Sequence, residues 1–143
     1  MKPLPYKEAV ALVDDVIREL PDQERTVIPK PSAMFDPETL APQDIIALFL
    51  LKSGFDPEDL RRDHTLQVAN TKHFWLTGYR AFYPETNRVF GGPHFKTQVF
   101  LSELIRKMDR GWAAGRAFEA AMRHADRMEE RDRKILPHLA DRW

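Results

Sequence analysis

Prolines at positions 21, 29, 31, 37, 42, 57, 84, 93 and 137 decide where this chain can be helical. A helix interior rejects proline, which lacks the backbone N–H and clashes with the preceding turn, whereas a first helical position accepts it. The candidate helices are therefore the segments between prolines that carry apolar residues at a period of about 3.6.

Residues 6 to 20 meet that test, with Tyr6, Ala9, Val10, Val13, Ile17 and Leu20 on one side and Lys7, Glu8, Asp14, Asp15, Arg18 and Glu19 on the other. Pro21 ends this helix. From 21 to 41 the prolines at 29, 31 and 37 forbid regular helix and predict an extended, partly polyproline-like strap, pinned to the core by Val27, Ile28, Met34 and Phe35. A loop of that length is uncommon in a compact chain and reads as functional or as an arm. Pro42 at a first helical position and Asp44 in the first turn open a helix in "PQDIIALFLLKSG" that Ser53-Gly54 stops. It is apolar on nearly every side, so it is expected at the centre of the core.

Asp56 and Pro57 then start a short helix, a turn near Asp63 follows, and another helix runs from about Leu66 to Phe82, ended by Pro84. Gly92-Pro93 opens a helix to Arg110, with Thr97, Phe100, Leu101, Leu104, Ile105 and Met108 on its apolar side and Gly111 closing it. The last long helix, Trp112 to Leu136, carries a heptad seam of Ala114, Phe118, Ala121, Ala125, Met128, Asp132 and Ile135, interrupted by Asp132. Its outer face predicts ion pairs Glu119/Arg123, Glu129/Arg133 and Glu130/Lys134. The expected fold is all-α: a single domain over 1–143, built as a compact orthogonal bundle of five to six helices with the proline-rich strap at 21–41.

At 143 residues, 43% apolar and 31% charged, the chain suits one globular core. The absence of cysteine excludes disulfides, thiolate catalysis, iron–sulfur clusters and cysteine zinc sites, and fits a reducing cytoplasm. The start, "MKPLPYKEAVALVDD", meets acidic residues before any signal-like apolar run, and the longest apolar run, "IIALFLL", is too short for a bilayer. A cytoplasmic protein with no membrane partner is expected. Net charge is zero, yet residues 1–70 hold 8 Lys and Arg against 13 Asp and Glu, and residues 71–143 hold 14 against 9.

No catalytic, cofactor or metal motif stands out. None of His64, His73, His94, His124 and His138 has a second histidine three or four residues away, and no Glu-x-x-His exists. His124 with Asp126, and Asp63 with His64, are not spaced to orient each other for acid–base work. No Walker loop, nucleophile elbow or dinucleotide fingerprint occurs.

The stretch 73–95, "HFWLTGYRAFYPETNRVFGGPHF", carries seven aromatic rings. Phe74, Trp75, Tyr79, Phe82 and Tyr83 share one helical side and read as core, with base stacking as the competing use. The loop 85–96 is the candidate contact region, because Gly91 and Gly92 leave backbone amides at a helix start flanked by Arg88, His94 and Lys96. Residues 42–82 also have the order of a helix-turn-helix unit, which would offer Gln67, Asn70, Thr71 and Lys72 to base edges. The acidic first half opposes that use.

The leading expectation is a non-enzymatic accessory, adaptor or inhibitor protein that binds another protein with an acidic surface, or a copy of itself. Arg116, Arg123 and Arg127 on the last helix, and Trp143 either tucked inward or offered as an anchor, are its candidate contacts. A nucleic-acid-binding regulator is the alternative, and a small structural subunit of an enzyme complex a further one.

Overall fold

The computed structural model describes residues 5–20, 33–62, 67, 70 and 95–143. Among them lie five α-helices: α1 (Tyr6–Arg18), α2 (Ile45–Lys52), α3 (Asp59–Arg62), α4 (Phe95–Asp109) and α5 (Ala114–Ile135). A terminal 3-10 turn (Pro137–Arg142) follows, and no strand occurs among the described residues beyond isolated bridge positions such as that between Phe35 and Pro42. The all-α expectation is met, in a compact packing. Residues 21–32 of the strap, nearly all of the helix expected over 66–82 and the aromatic stretch up to 94 fall outside the described residues. So do Arg88, His94, Thr71 and Lys72.

Helix α1 turns Ala9, Val13, Val16 and Ile17 inward, against α2, α4 and α5. In α2 the burial of Ile45, Ile46, Ala47, Phe49 and Leu50 makes it the core helix that its sequence calls for. Its start differs from the expectation. Asp44, expected inside the first turn, is the cap that precedes it: its backbone is extended (φ −150) and its carboxylate accepts the Ala47 N–H at 2.7 Å. Pro42 instead sits in the bridge opposite Phe35.

The glycine stops of α2 and α4 fall where the sequence places them, whereas α1 ends at Arg18, short of Pro21. Gly54 (φ 96) and Gly111 (φ 86) take the left-handed backbone that other residues avoid. Around them Phe55 N–H reaches the Leu50 carbonyl and Gly54 that of Leu51, while Trp112 reaches Lys107 and Gly111 reaches Met108. Both are Schellman caps, which satisfy the last carbonyls of α2 and α4.

The described end of the strap, 33–41, makes a tight turn. Asp36 accepts the Glu38 and Thr39 N–H groups at 2.8 and 3.0 Å, and these bonds hold its carboxyl pKa below the ordinary value. Met34 and Phe35, on its inner side, are buried as expected.

Helices α4 and α5 pack most extensively on each other. Small residues at Ala114, Ala117, Ala121 and Ala125 are fully buried there and permit close approach. The heptad seam is thus largely spent inside the molecule; of its residues only Ile135, at its far end, stays exposed at 68%. Phe100 knits three helices together, with its ring edge-on to Tyr6 of α1 at 5.7 Å and to Phe118 of α5 at 5.9 Å.

Candidate partner-binding face

Lys96, expected in the contact loop 85–96, is committed to the fold. Its ammonium pairs with Asp126 at 2.7 Å and Glu129 at 3.1 Å on α5 and lies 4.4 Å above the Tyr6 ring of α1. Burial disfavours its charge, but the two carboxylates outweigh that and raise its pKa. Burial likewise works against the Glu129 carboxylate, yet Lys96 and Arg133 hold its pKa down. The Tyr6 hydroxyl is pushed up, first by burial and then by Asp126.

Trp143 is tucked in. Its ring meets Phe95 edge-on at 4.9 Å, and its indole N–H donates to the Asp132 carboxylate at 3.2 Å. Asp132, the break in the heptad, is fully buried, and this donor helps to carry it. Replacing Trp143 with Ala is expected to lower stability by about 2–3 kcal/mol through the lost ring contact and the lost donor to a buried carboxylate. Trp143→Phe, which keeps a ring, should lose roughly half as much, and equal urea midpoints for the wild type and the Ala variant would show that the indole carries nothing.

Asn70 is unavailable to a base edge. It is buried, its side-chain oxygen accepts the Phe35 N–H at 2.9 Å, and its amide donates to the Phe35 carbonyl at 2.7 Å. Asn70 thereby behaves like a neighbouring strand for the Phe35 backbone. Gln67 is exposed, with its amide donating to the Arg61 carbonyl at 3.3 Å. A second cleft, about 260 Å³ and lined in part by Leu40, Leu60 and Gln67, adjoins this pair.

The outer face of α5 carries a row of unpaired cations. Arg116, Arg123 and Arg127 are exposed and have no ion-pair partner among the described residues. The expected Glu119/Arg123 pair is not formed, while Glu129–Arg133 and Glu130–Lys134 close at 3.2 and 2.9 Å. At about 100° per residue the three arginines fall within about 40° of one another and span about 17 Å along the helix. Arg116 also stands in the first turn of α5, which holds no acidic residue and no side-chain cap. The helix dipole disfavours a cation there.

Beside the stripe, a cleft of about 390 Å³ opens between α1 and α5. Ile17, Phe118 and Met122 give it apolar walls, Asp14, Arg116 and Glu119 form the polar part of its lining, and Gly115 contributes no side chain. Sequence patterning did not reveal it, because it arises from how α1 meets the start of α5.

A second cluster was equally unforeseen. The buried Glu103 carboxylate is held by Arg106 at 2.6 Å, with Lys107 at 3.8 Å and His124 at 3.9 Å. Its spacing to Arg106 and Lys107, at i,i+3 and i,i+4, was the available signal. With the carboxylate already bound and neither cleft reaching it, the cluster reads as a tie between α4 and α5.

Fold and face together define an all-α protein with a basic helix stripe beside a cleft of mixed apolar and charged lining. Among the described residues no group of His, Asp or Glu could hold a metal ion, and no helix is long and apolar enough to cross a membrane. No family model matches the chain, and no curated protein or solved structure does.

Proposed function

We propose that this protein is a non-enzymatic accessory, adaptor or inhibitor that binds the acidic surface of another protein with the outer face of α5. One observation carries the reading: Arg116, Arg123 and Arg127 are aligned, exposed and unpaired among the described residues, while Glu129 and Glu130 on the same helix are paired. Charges that stabilise a fold are paired or placed with the helix dipole, and Arg116 is neither. Arginine suits bidentate contacts with carboxylates, and such complementarity raises the association rate and selects the partner. A cysteine-free chain fits work in a reducing cytoplasm.

The test is to draw tagged protein from a native lysate at low salt, with and without nuclease, and to repeat it with the triple variant Arg116→Ala, Arg123→Ala, Arg127→Ala. A stoichiometric protein that survives nuclease and binds the variant roughly tenfold or more weakly is the expected result, at about 0.5–1 kcal/mol per rim charge. The loss should shrink as salt rises. Capture of nucleic acid alone, lost with nuclease, would move the reading to a nucleic-acid-binding regulator. Unchanged affinity of the triple variant for the captured protein would discard this docking mode.

A further inference from the structure

We propose that the cleft between α1 and α5 is the anchor pocket of this face and receives one large apolar side chain from an acidic segment of the partner; the inference rests on the partner-binding reading of α5.

The cleft and the stripe are continuous, because Arg116 lines the first and begins the second. A chain lying along α5 with a side chain in the cleft therefore runs on past Arg123 and Arg127. The volume of about 390 Å³ is near the small end for ligand pockets, suited to a single anchor rather than an extended cofactor. Ile17, Phe118 and Met122 supply apolar contact for it, and the glycine at 115 leaves the cleft's edge open.

The charges decide what enters. Asp14 and Glu119 also line the cleft, and Asp14 already holds Arg18 at 2.8 Å. A free carboxylate pushed into the cleft would meet these acids. An apolar side chain would not, and its flanking acids would reach the arginines outside. Such a buried anchor with a charged rim is the usual anatomy of a protein-binding hot spot.

A second copy fits less well. Pairing α5 with α5 would bring arginine stripes together. The exposed Ile135 cannot serve as the anchor in that pairing, since it lies about 160° around the helix from Gly115.

Two capped octapeptides test this: seven glutamates with phenylalanine at the third position, and the same peptide with alanine there. Each is titrated at low salt into the full chain while the Met122 methyl resonance is followed. The phenylalanine peptide is expected to bind about tenfold more tightly and to shift that resonance, from burial of the ring. Gly115→Leu, which narrows the cleft and removes a helix-disfavouring glycine, should erase the advantage and leave the alanine peptide unaffected. Met122→Ala should also reduce it, by taking away one wall. Equal affinities with an unmoved Met122 methyl would overturn the anchor pocket, and if the triple arginine variant still weakened both peptides the stripe would stand. Failure of both peptides to bind, or indifference to the arginines, would remove the acidic-partner reading and this inference with it.

Discussion

Phe100→Ala is expected to destabilise the protein by about 3–5 kcal/mol, the range for truncating a buried aromatic side chain. Phe100 is fully buried, and its ring is edge-on to both Tyr6 and Phe118, so one truncation opens a void where α1, α4 and α5 meet. Total stabilities of about 5–15 kcal/mol make that a large fraction. A fall in melting temperature of roughly 10–15 °C should follow for a chain of this size. Phe100→Leu, which keeps most of the volume, should lose far less. A urea-derived loss under about 1 kcal/mol for the alanine variant would mean that the three helices close without this ring.

Asn70→Ala should lower stability by about 2–4 kcal/mol, because it leaves both the N–H and the carbonyl of buried Phe35 without their side-chain partner. The main-chain bond from Met34 N–H to the Asn70 carbonyl, at 2.9 Å, does not depend on the side chain and should survive. Asn70→Asp is the sharper variant. It keeps an acceptor for the Phe35 N–H but turns a second carboxylate oxygen toward the Phe35 carbonyl, where both groups are acceptors. Protonation converts that oxygen into a donor and so raises the folded-state pKa of the new carboxyl; the Asp variant should recover part of its deficit as pH falls through that raised value toward the ordinary carboxylate range. The same urea titrations run near neutral pH and near pH ~4 would check it. A base-reading asparagine would behave otherwise, with nucleic-acid affinity lost and stability kept; undiminished stability of the alanine variant would reopen that role.

Both predictions turn on features of different legibility. Phe100 was placed on the inner side of its helix by period alone, and its burial follows. The helix-turn-helix order offers Asn70, with Gln67, Thr71 and Lys72, to base edges. The real partner of Asn70 is the backbone of Phe35, 35 residues away, and no local pattern encodes that meeting. Lys96 is decided by tertiary neighbours in the same way. Its neighbours in sequence place it in a candidate contact loop, and its neighbours in space are Asp126, Glu129 and the Tyr6 ring.

Helix positions, their glycine stops, the buried character of α2 and the inward side of α4 were all set by local chemistry: period, caps and proline exclusions act over a few residues. Which charges remain unspent is a different kind of fact. Glu119/Arg123 and Glu129/Arg133 have the same spacing, yet of the two only the second closes. The burial of Asp132 beneath Trp143, the spending of the alanine seam on α4 and the cleft beside Arg116 were likewise decided by the tertiary structure alone. They depend on contacts between residues far apart in the chain, where packing and desolvation, not propensity, choose the partner.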